Sequence, residues 1–108
     1  MKTDELEKNL GLVPAYNDYE INNIVTGFTS DLLSDVMGNA DEDSVLITIQ
    51  AHKNTIACCS LAGITAVIIC SGRKVPQDMI DAAKDEGIAI FTTKDNQFTT
   101  SFKVHGIL

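Results

Sequence analysis

The 108-residue sequence lacks tryptophan and contains only 6 % aromatic residues, so it offers no broad aromatic platform for stacking nucleic-acid bases. It also has no apolar run near the ~20 residues that span a bilayer. The first ten residues do not show the basic-then-apolar layout of a signal peptide. We therefore expect a cytoplasmic protein that does not bind membranes.

Basic residues are scarce as well. Eight Lys and Arg stand against fifteen Asp and Glu, a net charge of −7, and so acidic a surface repels nucleic acid. The three cysteines are odd in number, and the adjacent Cys58 and Cys59 lack the spacing of zinc or iron–sulfur ligands. We expect all three, Cys70 included, to be core residues, with no metal site and no disulfide framework.

What the sequence does contain is aliphatic residues, which bring the hydrophobic fraction to 44 % and suffice for one compact domain over residues 1–108. Apolar, β-branched segments predict buried strands at residues 45–49, 64–70 and 88–92. Helical patterns lie between them, at residues 55–62 after an Asn54 cap and from Pro76 to Glu86. This βαβ order predicts an α/β fold with a mostly parallel sheet flanked by helices.

The remaining elements are less regular. Residues 1–43 read as an acidic N-terminal arm with two short helices, at residues 4–10 and 31–37, and a short strand at residues 21–25. A last helix is expected from about Asp95 through Val104, which completes a βαβαβα core over residues 44–108.

Acidic and basic residues are distributed unequally between residues 1–43 and residues 44–108. Residues 1–43 hold two lysines against ten carboxylates, whereas residues 44–108 hold six basic residues against five acidic ones. Four of those six follow closely after the three predicted parallel strands: Lys53, Arg73, Lys74 and Lys94. The proposed topology collects them at the carboxyl edge of the sheet, where open α/β sheets bind ligands.

This edge is the candidate binding site for a small anion. Its predicted ligand-binding residues are His52, Lys53, Asn54, Ser71, Gly72, Arg73, Lys74 and Lys94. In the second loop Gly72 permits close backbone approach, Ser71 offers a hydroxyl and Arg73 can grip an anion bidentately. The alternatives are a plain turn glycine with solvated cations, a helix-capping Asn54 and a loop His52 without function.

The sequence gives less support for metal binding or catalysis. Asp31 and Asp35, four residues apart, offer too few oxygen ligands for a hard cation. The sequence has neither a dinucleotide-binding nor a P-loop glycine pattern, and no nucleophile elbow, so we predict no catalytic residues.

Several ordered segments, at residues 30–37, 46–49, 66–76 and 82–92, resemble the DRTGG domain family in its stand-alone form. The resemblance implies a fold like the amino-terminal domain of HPr kinase/phosphorylase. It also implies a regulatory role, since such domains occur beside CBS domains in regulated pyrophosphatases and in some phosphotransacetylases. Relatives encoded among iron–sulfur and hydrogenase-related proteins imply a partner in redox or carbon metabolism.

The sequence departs from the motif that names this family. His52-Lys53 stands where members carry Asp-Arg, and Cys70-Ser71-Gly72 stands where they carry Thr-Gly-Gly, so only Gly72 is unchanged.

The leading hypothesis is a non-enzymatic regulatory domain that binds a small anionic metabolite or nucleotide at the carboxyl edge, with no other cofactor. The alternative is a ligand-free homodimerisation or protein-interaction module, because the small residues of helix 55–62 permit close backbone approach. A small phosphoryl- or acyl-transfer enzyme that uses His52, Lys53 and Ser71 is the third possibility. In either of the first two cases we expect a homodimer.

Overall fold

A five-stranded sheet forms the centre of the structure, a computed structural model that describes residues 1–108. Its strands are β1 (Val13–Pro14), β2 (Thr26–Thr29), β3 (Ser44–Thr48), β4 (Ala66–Ile69) and β5 (Ala89–Thr92). They lie in the order β1-β5-β4-β3-β2, with β2 to β5 parallel and β1 antiparallel to β5. The predicted α/β class and mostly parallel sheet are confirmed.

Five helices cover the sheet: α1 (Thr3–Leu10), α2 (Leu33–Asn39), α3 (Lys53–Ala62), α4 (Gln77–Glu86) and α5 (Gln97–Ile107). None of them is long and apolar enough to cross a bilayer. Alternate residues of β3 and β4 point into two separate core clusters. One cluster includes Val36, Ile56 and Met79 from α2, α3 and α4, and the other includes Leu6 and Val104 from α1 and α5. Because both faces are covered, β3 and β4 are buried throughout, as the apolar runs at residues 45–47 and 66–69 predict, and the polar Ser44 and Thr48 at the ends of β3 are buried with them.

The predicted helix start after Asn54 is wrong by two residues. His52 is the N-cap of α3, and its carbonyl accepts a hydrogen bond from the Thr55 amide at 3.0 Å, which leaves Asn54 inside the first turn. Similarly, α2 begins at Leu33 with Leu32 as its N-cap, two residues after the start predicted at residue 31.

The strand predicted at residues 21–25 is also wrong. Ile24 is fully buried, but the strand begins at Thr26 and pairs with β3. β1 escapes prediction because Pro14 argues against a strand, although proline is tolerated at a sheet edge. Residues 1–43 thus supply both edge strands of the sheet, while α1 packs against α5, so this segment is integral to the core.

All three cysteines are free and buried, which agrees with their expected place in the core. Burial raises the pKa of the Cys58, Cys59 and Cys70 thiols.

Since the thiolate is the reactive form, we expect the thiols of the native protein to react only slowly with an aromatic disulfide reagent such as DTNB. After denaturation in guanidinium, all three thiols should react. A thiol that reacts in native protein as fast as free cysteine would contradict this burial.

Candidate functional site

The carboxyl ends of β3, β4 and β5 lie at one edge of the sheet, because these strands run parallel. Lys53 begins α3 beyond β3, Arg73 and Lys74 follow β4, and Lys94 follows β5. All four side chains are exposed to solvent. The four basic residues therefore lie at the carboxyl edge of the sheet, as the order of strands and helices in the sequence predicts.

The segment after β4 is a tight turn. The Arg73 amide donates to the Cys70 carbonyl at 3.3 Å, and both central residues have positive φ, 62° at Ser71 and 65° at Gly72. This is the type I′ geometry, which glycine adopts freely and serine adopts at a cost. The positive φ of this turn therefore favours glycine at position 72 without any ligand.

This turn is fastened to the segment after β5. The Ser71 amide donates to the Asp95 carbonyl at 2.8 Å, and the Gly72 amide donates to the Thr93 carbonyl at 3.0 Å. These two amides are already paired within the chain and do not form an open cradle for an anion. Side chains must therefore supply any recognition of an anion at this turn.

Those side chains frame a small cleft of about 240 Å³, here named the Arg73–Lys94 cleft. Its lining residues are Val13, Gly72, Arg73, Thr92, Thr93 and Lys94. Neither Arg73 nor Lys94 forms an ion pair, since the one ion pair in the structure joins Lys103 Nζ to Asp95 Oδ2 at 2.7 Å. No carboxylate lines the cleft, so its formal charge is positive in a chain of net charge −7.

The other predicted residues lie outside this cleft. Lys53 and Asn54 line a separate groove of about 320 Å³ between α3 and α4, together with Asp85 and Glu86. Two carboxylates against one lysine make that groove unfavourable for an anion. His52 is exposed, and its Nε2 lies 3.1 Å from Gln50 Oε1.

Ser71 and Lys74 are exposed beside the Arg73–Lys94 cleft but do not line it. Of the eight predicted residues, the structure brings three together in one cavity: Gly72, Arg73 and Lys94.

Asp31 joins several segments at the same edge of the sheet, a role that its sequence context does not indicate. Its Oδ1 accepts hydrogen bonds from Thr48 Oγ1 at 2.8 Å, the Ile49 amide at 3.0 Å and Gln97 Nε2 at 3.0 Å. Its carbonyl accepts from Gln50 Nε2 at 3.1 Å. One carboxylate thereby joins the segments that follow β2 and β3 to the first residue of α5.

Asp31 and Asp35 do not lie on one helix, as the helix predicted at residues 31–37 would place them. Asp31 precedes α2, whereas Asp35 lies in its first turn and accepts from Asn39 Nδ2 at 2.7 Å. No group of three or more His, Cys, Asp or Glu side chains is placed to hold a metal ion. The partners of Asp31 are 17 to 66 residues away in sequence, so no local pattern could have indicated them.

Comparison with solved structures supports the fold. The chain is similar to the crystal structure of the CBS and DRTGG domains of the regulatory region of Clostridium perfringens pyrophosphatase, complexed with the activator diadenosine tetraphosphate. The TM-score is 0.72 at 16 % identity, and the match covers 94 % of this chain and 45 % of the other, so the chain spans about half the length of that protein. No curated protein matches the sequence significantly. The model of the DRTGG domain family matches residues 17–107, and the chain therefore belongs to that family.

Proposed function

We propose that this protein is a regulatory domain that binds a small phosphorylated metabolite, of the nucleotide class, in the Arg73–Lys94 cleft. The observation that carries the proposal is the pair of cations without ion-pair partners that lines one cleft of an otherwise acidic chain. Membership of the DRTGG family supports a regulatory role, as does the fold shared with a pyrophosphatase regulatory region that was crystallised with a nucleotide activator.

The cleft chemistry suits a phosphate group. An arginine guanidinium can donate two parallel hydrogen bonds to phosphate, and a lysine adds a compact positive charge. The volume of about 240 Å³ lies below the ~300 to 1,000 Å³ typical of sites that enclose a drug-sized ligand. We therefore expect the cleft to hold the phosphorylated end of a ligand, with the remainder outside.

The test is thermal unfolding in the presence of adenine nucleotides, acyl phosphates and sugar phosphates at millimolar concentration. A ligand at ~100 times its dissociation constant adds ~2.7 kcal/mol to the stability of the folded state, so one class should raise the Tm selectively. Arg73→Ala and Lys94→Ala should each abolish most of that rise. Because both side chains are exposed, the basal Tm should change little.

Lys53→Ala is the matched control, since it removes a cation from the same edge of the sheet but from the other groove. It should leave the ligand-induced rise in Tm intact. No rise with any compound would contradict ligand binding. A rise that survives both Arg73→Ala and Lys94→Ala would contradict its location.

The enzyme alternative gains nothing from the geometry. Lys53 lines the groove between α3 and α4, while His52 and Ser71 line neither that groove nor the Arg73–Lys94 cleft. The second candidate is a protein-interaction module, and it is favoured by one specific observation: α5 exposes two phenylalanines to solvent.

A further inference from the structure

One helix face of the protein exposes aromatic side chains. Phe98 and Phe102 lie one turn apart on α5, with relative exposures of 83 % and 75 %. Together with Thr29, Gln97, Ser101 and His105 they border a shallow depression of about 510 Å³, and this set of residues is named the α5 face. Large exposed apolar groups in one patch mark an interaction surface more often than scattered ones do.

The polar groups of the α5 face are largely satisfied within the chain. Thr29 Oγ1 and Ser101 Oγ share a hydrogen bond of 2.6 Å, and Gln97 Nε2 donates to Asp31. Apart from the exposed imidazole of His105, the α5 face therefore offers ring surface rather than free hydrogen-bonding groups. That chemistry fits an apolar protein surface better than a polar small molecule.

The distribution of charged residues indicates which protein surface the α5 face could bind. Fifteen acidic residues give the chain its net charge of −7, yet none of them lies in α5, where the ionisable residues are Lys103 and His105. In contrast, α1 and α4 have acidic residues in their first turns, and α3, which has none of its own, shares its groove with Asp85 and Glu86 of α4. Electrostatic repulsion between two copies of this acidic chain is therefore weaker at the α5 face than at the surfaces that carry these carboxylates.

The edge of the sheet beside α5 is open. α5 lies across β2, because a Cβ atom placed on Gly27 would be 3.5 Å from Val104 Cγ1. β2 is an edge strand whose four residues include neither a charge nor a proline, the usual devices that block edge pairing. The opposite edge strand, β1, is only two residues long and contains Pro14.

We infer that the α5 face and the adjoining edge of β2 form the interface of a homodimer related by a twofold axis. Each buried phenylalanine contributes on the order of 150 to 250 Å², so two rings supply roughly 300 Å² or more of the ~800 Å² that each partner buries in a standard interface. The edge of β2 and His105 lie beside the two rings and would add to the buried interface area. In an isologous contact the same rings meet from both copies, so the surface is its own complement.

Sedimentation equilibrium at tens of micromolar tests the interface. Wild-type protein should have twice the 11.7 kDa chain mass, and the double variant Phe98→Asp, Phe102→Asp should have the monomer mass. Leu61→Asp is the matched control, because Leu61 is 81 % exposed on α3 and belongs to the small-residue helix first considered for dimerisation. It should leave the dimer intact.

Three results would overturn the inference: a monomeric wild type, a double variant as dimeric as wild type, or dissociation by Leu61→Asp alone. Circular dichroism checks that the double variant is folded, and Phe98→Ser with Phe102→Ser replaces it if the aspartates unfold the helix. The inference does not depend on ligand binding. Arg73→Ala should lose the ligand response and stay dimeric, so the two proposals fail separately.

Discussion

Phe91→Ala is expected to lower the free energy of unfolding by about 3–5 kcal/mol, the usual cost of deleting a buried ring and leaving a cavity. Phe91 is fully buried in β5 and is among the largest fully buried side chains. Its ring meets Tyr19 edge-on at a centroid distance of 5.2 Å, and that contact is lost too. With a urea m-value of ~2 kcal/mol/M, the midpoint of urea unfolding should fall by about 2 M.

Phe98→Ala makes the same substitution at an exposed position of α5. At a protein concentration low enough to dissociate the inferred dimer, it should change the free energy of unfolding by less than about 0.5 kcal/mol, because its ring is then in water. Equal losses from the two variants would mean that burial does not distinguish these side chains, contrary to the two core clusters of the fold.

The core around Phe91 is the part of the fold that sequence predicts best. The three central strands and the two helices between them follow from runs such as 64–70, whose nearly continuous apolar sequence matches burial on both faces of the sheet. The edge strands do not follow in this way. β2 has the sequence Thr-Gly-Phe-Thr and a half-exposed burial pattern, so its strand state depends on pairing with β3 rather than on its own residues.

The binding edge shows a similar division. Parallel topology is enough to place Lys53, Arg73 and Lys94 at one edge of the sheet, and the order of strands and helices in the sequence predicts that edge. Which cations share a cavity depends instead on the loops. The turn at Ser71 and Gly72 bonds to residues 93 and 95, which brings Arg73 to Lys94, whereas Lys53 begins α3 and lines the groove towards α4. Such contacts between distant segments leave no local sequence pattern.

The carboxylate of Asp31 is the clearest example of that dependence on distant contacts, and Asp31→Ala is expected to cost about 3 kcal/mol of stability. The substitution leaves the Thr48 hydroxyl, the Ile49 amide and the Gln97 side chain without their common acceptor. Hydrogen bonds to a charged group contribute ~1.5–3 kcal/mol each, and bonds that share one acceptor add less than their sum. Urea denaturation of the two proteins at pH 7 measures the difference.

Two further substitutions separate this network from a general effect of charge. Asp35→Ala removes a carboxylate only four residues away that bonds solely to Asn39, and it should cost less than about 1 kcal/mol. Asp31→Asn keeps an acceptor oxygen at the junction and should recover most of the stability lost in Asp31→Ala. If Asp31→Ala were no more costly than Asp35→Ala, the three donors would find water as readily as the carboxylate. In that case the pairing of the strands, and not the hydrogen bonds of Asp31, would hold the segments at the carboxyl edge in place.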